Sequence, residues 1–312
     1  MIAEKPTLTL KDYKTPVHNN WCPGCGDFGI LAALQMALAD LQLPPHKVAV
    51  YSGIGCSGKT PHYLNCYGFH TLHGRVLPNA TGAKLANRDL TVVAVGGDGD
   101  GYGIGAGYFV NSGRRNVDFT YLVFDNGVYG LTKGQGAPTL ARGLRTKSMP
   151  EAAIQDNLNP IALAIGCGYT FVARAYALDP RGTAAIIKQA IQHPGSSFVD
   201  ILQTCPTYND LMTKEWFEAK VEDRPRMYKL SDDGYDGVVR DPSNVDQVVA
   251  KKVGAVERSY ESQRLPLGVF YQARLRTYEE ELEARLPQYA RTPLVDWDVS
   301  HRDVSKLLDS LR

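Results

Sequence analysis

The chain has 312 residues, 44% of them hydrophobic, with 34 Lys and Arg against 33 Asp and Glu. That length holds one large domain or two ordinary ones, and the composition is that of a globular chain with a sizeable core. A net charge of +1 with scattered basic residues argues against a nucleic-acid surface, and the lack of any run of 18 apolar residues argues against a membrane span.

Residues 1–20 are polar and irregular. Met1 to Lys14 lack the apolar stretch and small-residue cleavage site of a signal peptide, which points to the cytoplasm. Apolar residues at helical spacing (Ile30, Leu31, Leu34, Ala37, Leu38, Leu41) predict a helix over 27–41, stopped by Pro44 and Pro45. A short strand over 48–52 runs into Gly53-Ile54-Gly55-Cys56-Ser57-Gly58-Lys59. A short helix is expected over 81–87 and a Val-rich strand over 90–95, followed by Gly97-Asp98-Gly99-Asp100. Then come a Gly-rich helix near 104–112, a second apolar strand over 119–124, and Asp125-Asn126-Gly127-Val128-Tyr129-Gly130. Residues 130–150 show no periodicity, and a loop that long in a compact domain is usually functional. A helix over 152–165, a strand over 169–173, a helix over 183–192 and a strand over 197–202 complete the alternation. This rhythm is that of an α/β fold with a doubly wound, mostly parallel sheet. We therefore divide the chain into an α/β domain, 1–206, and a charge-rich extension, 207–312. The extension has helical patches at 278–286 and 304–311, and is expected to wrap the core or a partner.

The two apolar strands at 90–95 and 119–124 each end in a polar, Gly-rich turn. Open α/β sheets bind ligands at the carboxyl ends of strands, so both turns are expected on one edge. Asp98 and Asn126 offer two hard oxygen ligands, which suits Mg²⁺ shared with a phosphate, and the glycines let backbone N–H groups approach that phosphate. The pairing of Gly-Asp-Gly with an Asn after the next strand resembles the thiamine-diphosphate motif. That resemblance implies Mg²⁺ held on the diphosphate by Asp98, Asn126 and the backbone carbonyl of Val128.

Six cysteines in an apparently cytosolic chain are ligands, catalytic groups or core residues rather than disulfides. Trp21-Cys22-Pro23-Gly24-Cys25-Gly26 stands just before a helix, where Cys-x-x-Cys is a redox pair, a zinc half-site or an iron–sulfur half-site. Cys56 follows one predicted strand and Cys205-Pro206 another, an arrangement that would let Cys22, Cys25, Cys56 and Cys205 converge on the strand-end edge. Cys66 and Cys167 lack this placement.

Taken with the thiamine motif, these elements resemble the β subunit of the 2-oxoacid:ferredoxin oxidoreductases, over about residues 20–210 and again at Leu265-Pro-Leu-Gly-Val-Phe-Tyr271. The resemblance implies one [4Fe–4S] cluster on Cys22, Cys25, Cys56 and Cys205. It implies that Ile54, Gly55, Cys56 and Ser57 line the thiamine diphosphate, that Gly99 and Asp100 face its diphosphate, and that Gly130 and Leu131 continue the cradle. His73, in His73-Gly74-Arg75, is expected to bond the cofactor. Lys59 and Lys133 are candidates to hold the substrate carboxylate, with Leu131 on the same side. The implied activity is coenzyme A-dependent oxidative decarboxylation of a 2-oxoacid, with electrons passing through the cluster to ferredoxin. Thiamine enzymes need a carboxylate to activate the aminopyrimidine, and no glutamate stands beside the cofactor loops. The resemblance places that function on an α (or fused α–γ) subunit, giving a heterodimer at least. Two alternatives are a non-redox thiamine decarboxylase with structural zinc, and an iron–sulfur electron-transfer module.

Overall fold

In the computed structural model, residues 7–261, 263–298, 300 and 303–311 are described. The first helix, α1, spans Asp27–Asp40 and leads into strand β1, Val48–Ser52. An edge strand, β2 (Tyr67–His70), precedes α2 (Val76–Ala86). Strand β3 (Thr91–Gly97), helix α3 (Ala106–Arg115) and strand β4 (Thr120–Asp125) follow. Helix α4 (Pro160–Cys167), strand β5 (Phe171–Tyr176), helix α5 (Pro180–Gln192) and strand β6 (Ser197–Leu202) complete the alternation. The C-terminal part contributes β7 (Met227–Lys229), α6 (Val245–Ser259), β8 (Leu265–Gln272) and α7 (Tyr278–Arg285).

The eight strands form one sheet in the order β7-β8-β5-β6-β4-β3-β1-β2. All pairs are parallel except β8 with β5. Every residue of β4, β5 and β6 is buried, as expected of parallel strands covered on both faces. Helices α1 and α5 pack on one face through Ile30, Leu34, Leu38 and Ile187. Helices α2, α3, α4 and α6 cover the other through Leu77, Phe109, Ile161 and Ala255. Among the described residues no helix is long and apolar enough to cross a membrane.

Local chemistry corrects several boundaries. The helix expected over 152–165 begins only at Pro160. Asn159 caps it by accepting the Ala162 N–H at 3.1 Å, and a proline at 160 disfavours helical backbone in the residue before it. Asp179 caps α5 in the same way, so that the helix starts at Pro180, three residues ahead of the expected 183. Helix α2 begins at Val76 rather than 81. The segment over 99–104 is a π-type turn kinked at Gly103, and the α-helix proper follows it. The C-terminal segment does more than wrap the core, since β8 is a full member of the sheet. Because β1, β3, β4 and β6 are mutually parallel, their carboxyl ends, Ser52, Gly97, Asp125 and Leu202, share one edge.

Candidate functional site

A cavity of about 220 Å³ lies at that edge. The loop after β1 lends it Ile54, Gly55, Cys56 and Ser57, and the turn after β3 lends Asp98, Gly99 and Asp100. Asn126, Val128, Gly130 and Leu131 come from the turn after β4, and His73 from the β2–α2 connection. Tyr129, Thr132 and Gln203 also line it. Tyr129 belongs to the turn after β4 already singled out, whereas the fold rather than local spacing brings in Thr132 and Gln203.

Asp98 is buried and held from three sides. Its Oδ1 accepts the Gly99 N–H at 2.9 Å and its Oδ2 the Gly127 N–H at 2.8 Å. The Thr139 hydroxyl stands 2.7 Å from Asp98 Oδ2 and 2.7 Å from Asp125 Oδ1. Burial pushes Asp98 up to about 6 and Asp125 well above the carboxylate range, where the charge of Asp200 adds to the effect. Asp98 borders the cavity and Asp125 does not, so Asp98 is the member of the pair that can meet a cation. Asn126 is fixed through its backbone carbonyl, which accepts from Asn209 Nδ2 at 2.7 Å, and its Oδ1 accepts the Val128 N–H at 3.0 Å.

Asp100 borders the cavity, but its carboxylate is turned to a structural task. Oδ1 accepts the Ile54 N–H at 2.9 Å and the Gly74 N–H at 2.8 Å, and lies 2.9 Å from His73 Nδ1. One oxygen thus ties three cavity loops together and orients the His73 ring.

The four strand-edge cysteines form one neighbourhood. The Sγ atoms of Cys56 and Cys205 lie 3.6 and 3.7 Å from the point where a Cβ on Gly130 would sit. The Cys22–Cys25 loop is laced to the loop after β6, with the Gly26 N–H donating to the Thr204 carbonyl at 3.1 Å. Trp21 Nε1 donates to the Cys56 carbonyl at 2.8 Å. Burial raises the thiols of Cys25, Cys56 and Cys205, Cys56 to about 11, and each also feels the charge of others in the set. Cys66 is pushed to about 12 by burial, with no cysteine among its influences, and Cys167 is raised by burial alone. Asp27, fully buried at the start of α1, is pushed up to about 6 by burial, against Gln203, Cys25 and Lys59. Among the described residues no group of three His, Cys, Asp or Glu side chains is placed to hold a metal ion.

Lys59 and Lys133 do not line the cavity. Lys59 Nζ donates to Asn20 Oδ1 at 3.1 Å, on the cysteine side. Lys133 is exposed, three residues beyond Gly130. Among the described residues no glutamate lines the cavity.

Comparison with known proteins agrees with this geometry. Residues 46–201 match the family model of the thiamine pyrophosphate enzyme C-terminal TPP-binding domain, and residues 205–285 match that of the C-terminal part of the pyruvate ferredoxin oxidoreductase β subunit. The β subunit of 2-oxoacid:ferredoxin oxidoreductase 1 of Aeropyrum pernix is 53% identical over 284 residues, covering 90% of this chain and 86% of the relative. The corresponding subunit of Saccharolobus solfataricus is 52% identical over 280 residues, covering 88% and 89%. A solved structure of 2-oxoglutarate:ferredoxin oxidoreductase from Magnetococcus marinus, with 2-oxoglutarate, coenzyme A and succinyl-CoA bound, superposes with a TM-score of 0.84. It shares 33% identity over 99% of this chain and 98% of that one. With its strand-end Asp and Asn, its gathered cysteines and these similarities along nearly its whole length, the chain belongs to the family of 2-oxoacid:ferredoxin oxidoreductase β subunits.

Proposed function

We propose that this chain, joined to an α subunit, performs coenzyme A-dependent oxidative decarboxylation of a 2-oxoacid, using Mg²⁺-bound thiamine diphosphate and one [4Fe–4S] cluster. One observation carries the reading. The cavity bounded by Asp98 and Asn126 also includes Cys56, and the sulfur of Cys56 faces Gly130 beside that of Cys205. The two cofactor sites therefore share a wall.

The donor sets suit these groups. Asp98, Asn126 and the Val128 carbonyl are oxygen ligands of the hard kind that Mg²⁺ takes, and two of them lie outside the His, Cys, Asp and Glu set. Gly55 leaves backbone open toward a diphosphate, whereas the absent side chain of Gly99 makes room for the Tyr129 ring and that of Gly130 for the Cys56 and Cys205 sulfurs. Four thiols gathered without closing on one point suit a cluster, which is wider than an ion. Thiamine diphosphate supplies the carbanion chemistry of decarboxylation, and an iron–sulfur cluster supplies one-electron transfer. The protein's own share is positioning. Asp98 and Asn126 fix the metal end, and Asp100 holds His73 toward the cavity. Tyr129 and Leu131 shield the mouth from water. The cavity is smaller than the roughly 300–1,000 Å³ usual for a ligand site and lacks a glutamate among the described residues. Both points fit a site finished by the α subunit, which would supply the activating carboxylate. Six free cysteines suit a reducing cytoplasm.

The test is direct. The purified chain is assayed for iron, visible absorption and thiamine-diphosphate binding, and the assembled complex for 2-oxoacid-dependent reduction of ferredoxin across a panel of 2-oxoacids. A colourless, zinc-loaded complex that decarboxylates without reducing ferredoxin would overturn the reading. So would full turnover by this chain alone.

A further inference from the structure

We infer that Thr139 is a positioning residue for the metal end of the cavity. It closes one oxygen of Asp98, so that the carboxylate offers a divalent cation a single oxygen and favours Mg²⁺ over Ca²⁺. The inference rests on the assignment of Asp98 to the metal site above, and adds what fixes that carboxylate and what selects the ion.

The two oxygens of Asp98 stand in unequal surroundings. Oδ1 accepts the N–H of the adjoining Gly99 at 2.9 Å. Oδ2 accepts the Gly127 N–H at 2.8 Å and lies 2.7 Å from Thr139 Oγ1. A carboxylate oxygen has two lone-pair directions, and at Oδ2 an amide and a hydroxyl take both. The Thr139 hydroxyl also stands 2.7 Å from Asp125 Oδ1. It closes Oδ2 whichever carboxyl its proton points to, because the hydroxyl oxygen itself fills the space. Oδ1 is the oxygen left with room for a cation. Asn126 repeats the arrangement, since its Oδ1 accepts the Val128 N–H at 3.0 Å and keeps its second lone pair.

The backbone delivers Thr139 along a fixed path. Val128 pairs with Gly136 in a short antiparallel hairpin. The Ala137 N–H donates to the Gly127 carbonyl at 2.9 Å, and the Pro138 carbonyl accepts the Leu158 N–H at 2.8 Å. The two residues before Thr139 are thus tied to Gly127 itself and to the segment leading into α4. The hairpin that presents the Val128 carbonyl therefore also sets the angle of the Asp98 carboxylate.

The consequence is a choice of ion. Mg²⁺ takes single oxygens at about 2.0–2.1 Å in a nearly octahedral array, whereas Ca²⁺ takes roughly 6–8 oxygens at longer range and often both oxygens of one carboxylate. A carboxylate locked to one open oxygen, beside an amide oxygen and a carbonyl, suits the first. Without the Thr139 hydroxyl, Asp98 Oδ2 is held by the Gly127 N–H alone, and the carboxylate can turn to offer both oxygens. Removing a group that orients a metal ligand typically costs about 10–100-fold in metal affinity.

The experiment uses the assembled complex, freed of divalent cations and thiamine diphosphate. Calorimetry follows thiamine-diphosphate binding with Mg²⁺ and, separately, with Ca²⁺. Thr139→Val removes the hydroxyl and keeps the shape. It should weaken Mg²⁺-supported binding about tenfold and Ca²⁺-supported binding less than about threefold, which narrows the preference for Mg²⁺. Thr139→Ser keeps the hydroxyl and should restore both affinities. Urea midpoints report whether each variant is folded, and Thr139→Ala takes the place of the valine variant should that one not fold. Wild-type affinities in Thr139→Val would overturn the inference. Equal losses with the two cations would overturn it as well, by reducing Thr139 to a general support of the loop. So would a serine variant as weak as the valine one. A wild-type complex that binds thiamine diphosphate equally well without any divalent cation is a separate result, which removes the metal site itself and the inference with it.

Discussion

A Cβ at position 53 would stand 1.9 Å from Oδ2 of Asp100. The loop after β1 can meet the turn after β3 only because residue 53 has no side chain. Gly53→Ala must displace the Asp100 carboxylate and with it the acceptor of the Ile54 and Gly74 N–H groups. Stability should fall by about 2–4 kcal/mol by denaturant unfolding, and thiamine-diphosphate affinity should fall with it. Asp100→Asn keeps an acceptor oxygen and should be the milder change. A Gly53→Ala protein with wild-type stability and cofactor affinity would show that the three loops are not held through Asp100.

Asp98 takes three hydrogen bonds and still borders the cavity. Asp98→Ala should weaken Mg²⁺-dependent thiamine-diphosphate binding at least a hundredfold by calorimetry while the visible absorption of the cluster persists. Unchanged affinity would remove Asp98 from the metal site.

Serine replacement at the cysteines should divide them four against two. Cys22→Ser, Cys25→Ser, Cys56→Ser and Cys205→Ser should each bleach the visible band and lower the iron content, whereas Cys66→Ser and Cys167→Ser should keep both. Loss of the band from Cys66→Ser with Cys205→Ser intact would mean that the fourth ligand lies on the other side of β1.

His193 gives a pH prediction. It is buried, with Nε2 2.8 Å from Thr170 Oγ1, and burial pushes it from 6.5 down to about 4. Above pH 6.5 both folded and unfolded chains hold it neutral. As pH falls from 6.5 through 4 the unfolded chain gains a proton that the folded chain refuses, and up to roughly 3 kcal/mol of stability is lost. Asp27 and Asp98 titrate in the opposite sense, because their folded values are raised. The informative quantity is therefore the difference between wild type and His193→Gln in urea midpoints from pH 7 to 4. That difference should shift in favour of the variant as the pH drops, and a constant difference would place the imidazole in contact with solvent.

The strand-end edge was legible in the sequence because its strands are buried on both faces. Such strands read as unbroken apolar runs, and each ends in glycine-bounded polar residues. Asp98, Asn126, Cys56 and His73 line one cavity. Strand β8 was not legible as a strand, since Pro266 and Gly268 interrupt it and its pairing with β5 shifts register between Val269 and Tyr271. Helix α6 was hidden because Val245, Val249 and Val253 face outward, which blurs the single apolar stripe that marks a helix. Thr139 and Gln203 carry no local signal, since only the folded chain brings Thr139 to Asp98 and Gln203 to the cavity. The sequence also could not tell that Asp100 spends its oxygen on backbone N–H groups.

The position of β8 sets an order on synthesis. Its partner β5 lies about a hundred residues upstream and is flanked on its other side by β6, which is made soon after it. While the nascent chain is still growing, β5 stands as an unpaired, wholly buried-type margin until residue 272 has left the ribosome. Such margins invite pairing with other chains. The C-terminal segment thus acts as a late-arriving guard, and a stalled or truncated translation product that ends after β6 should be prone to aggregate.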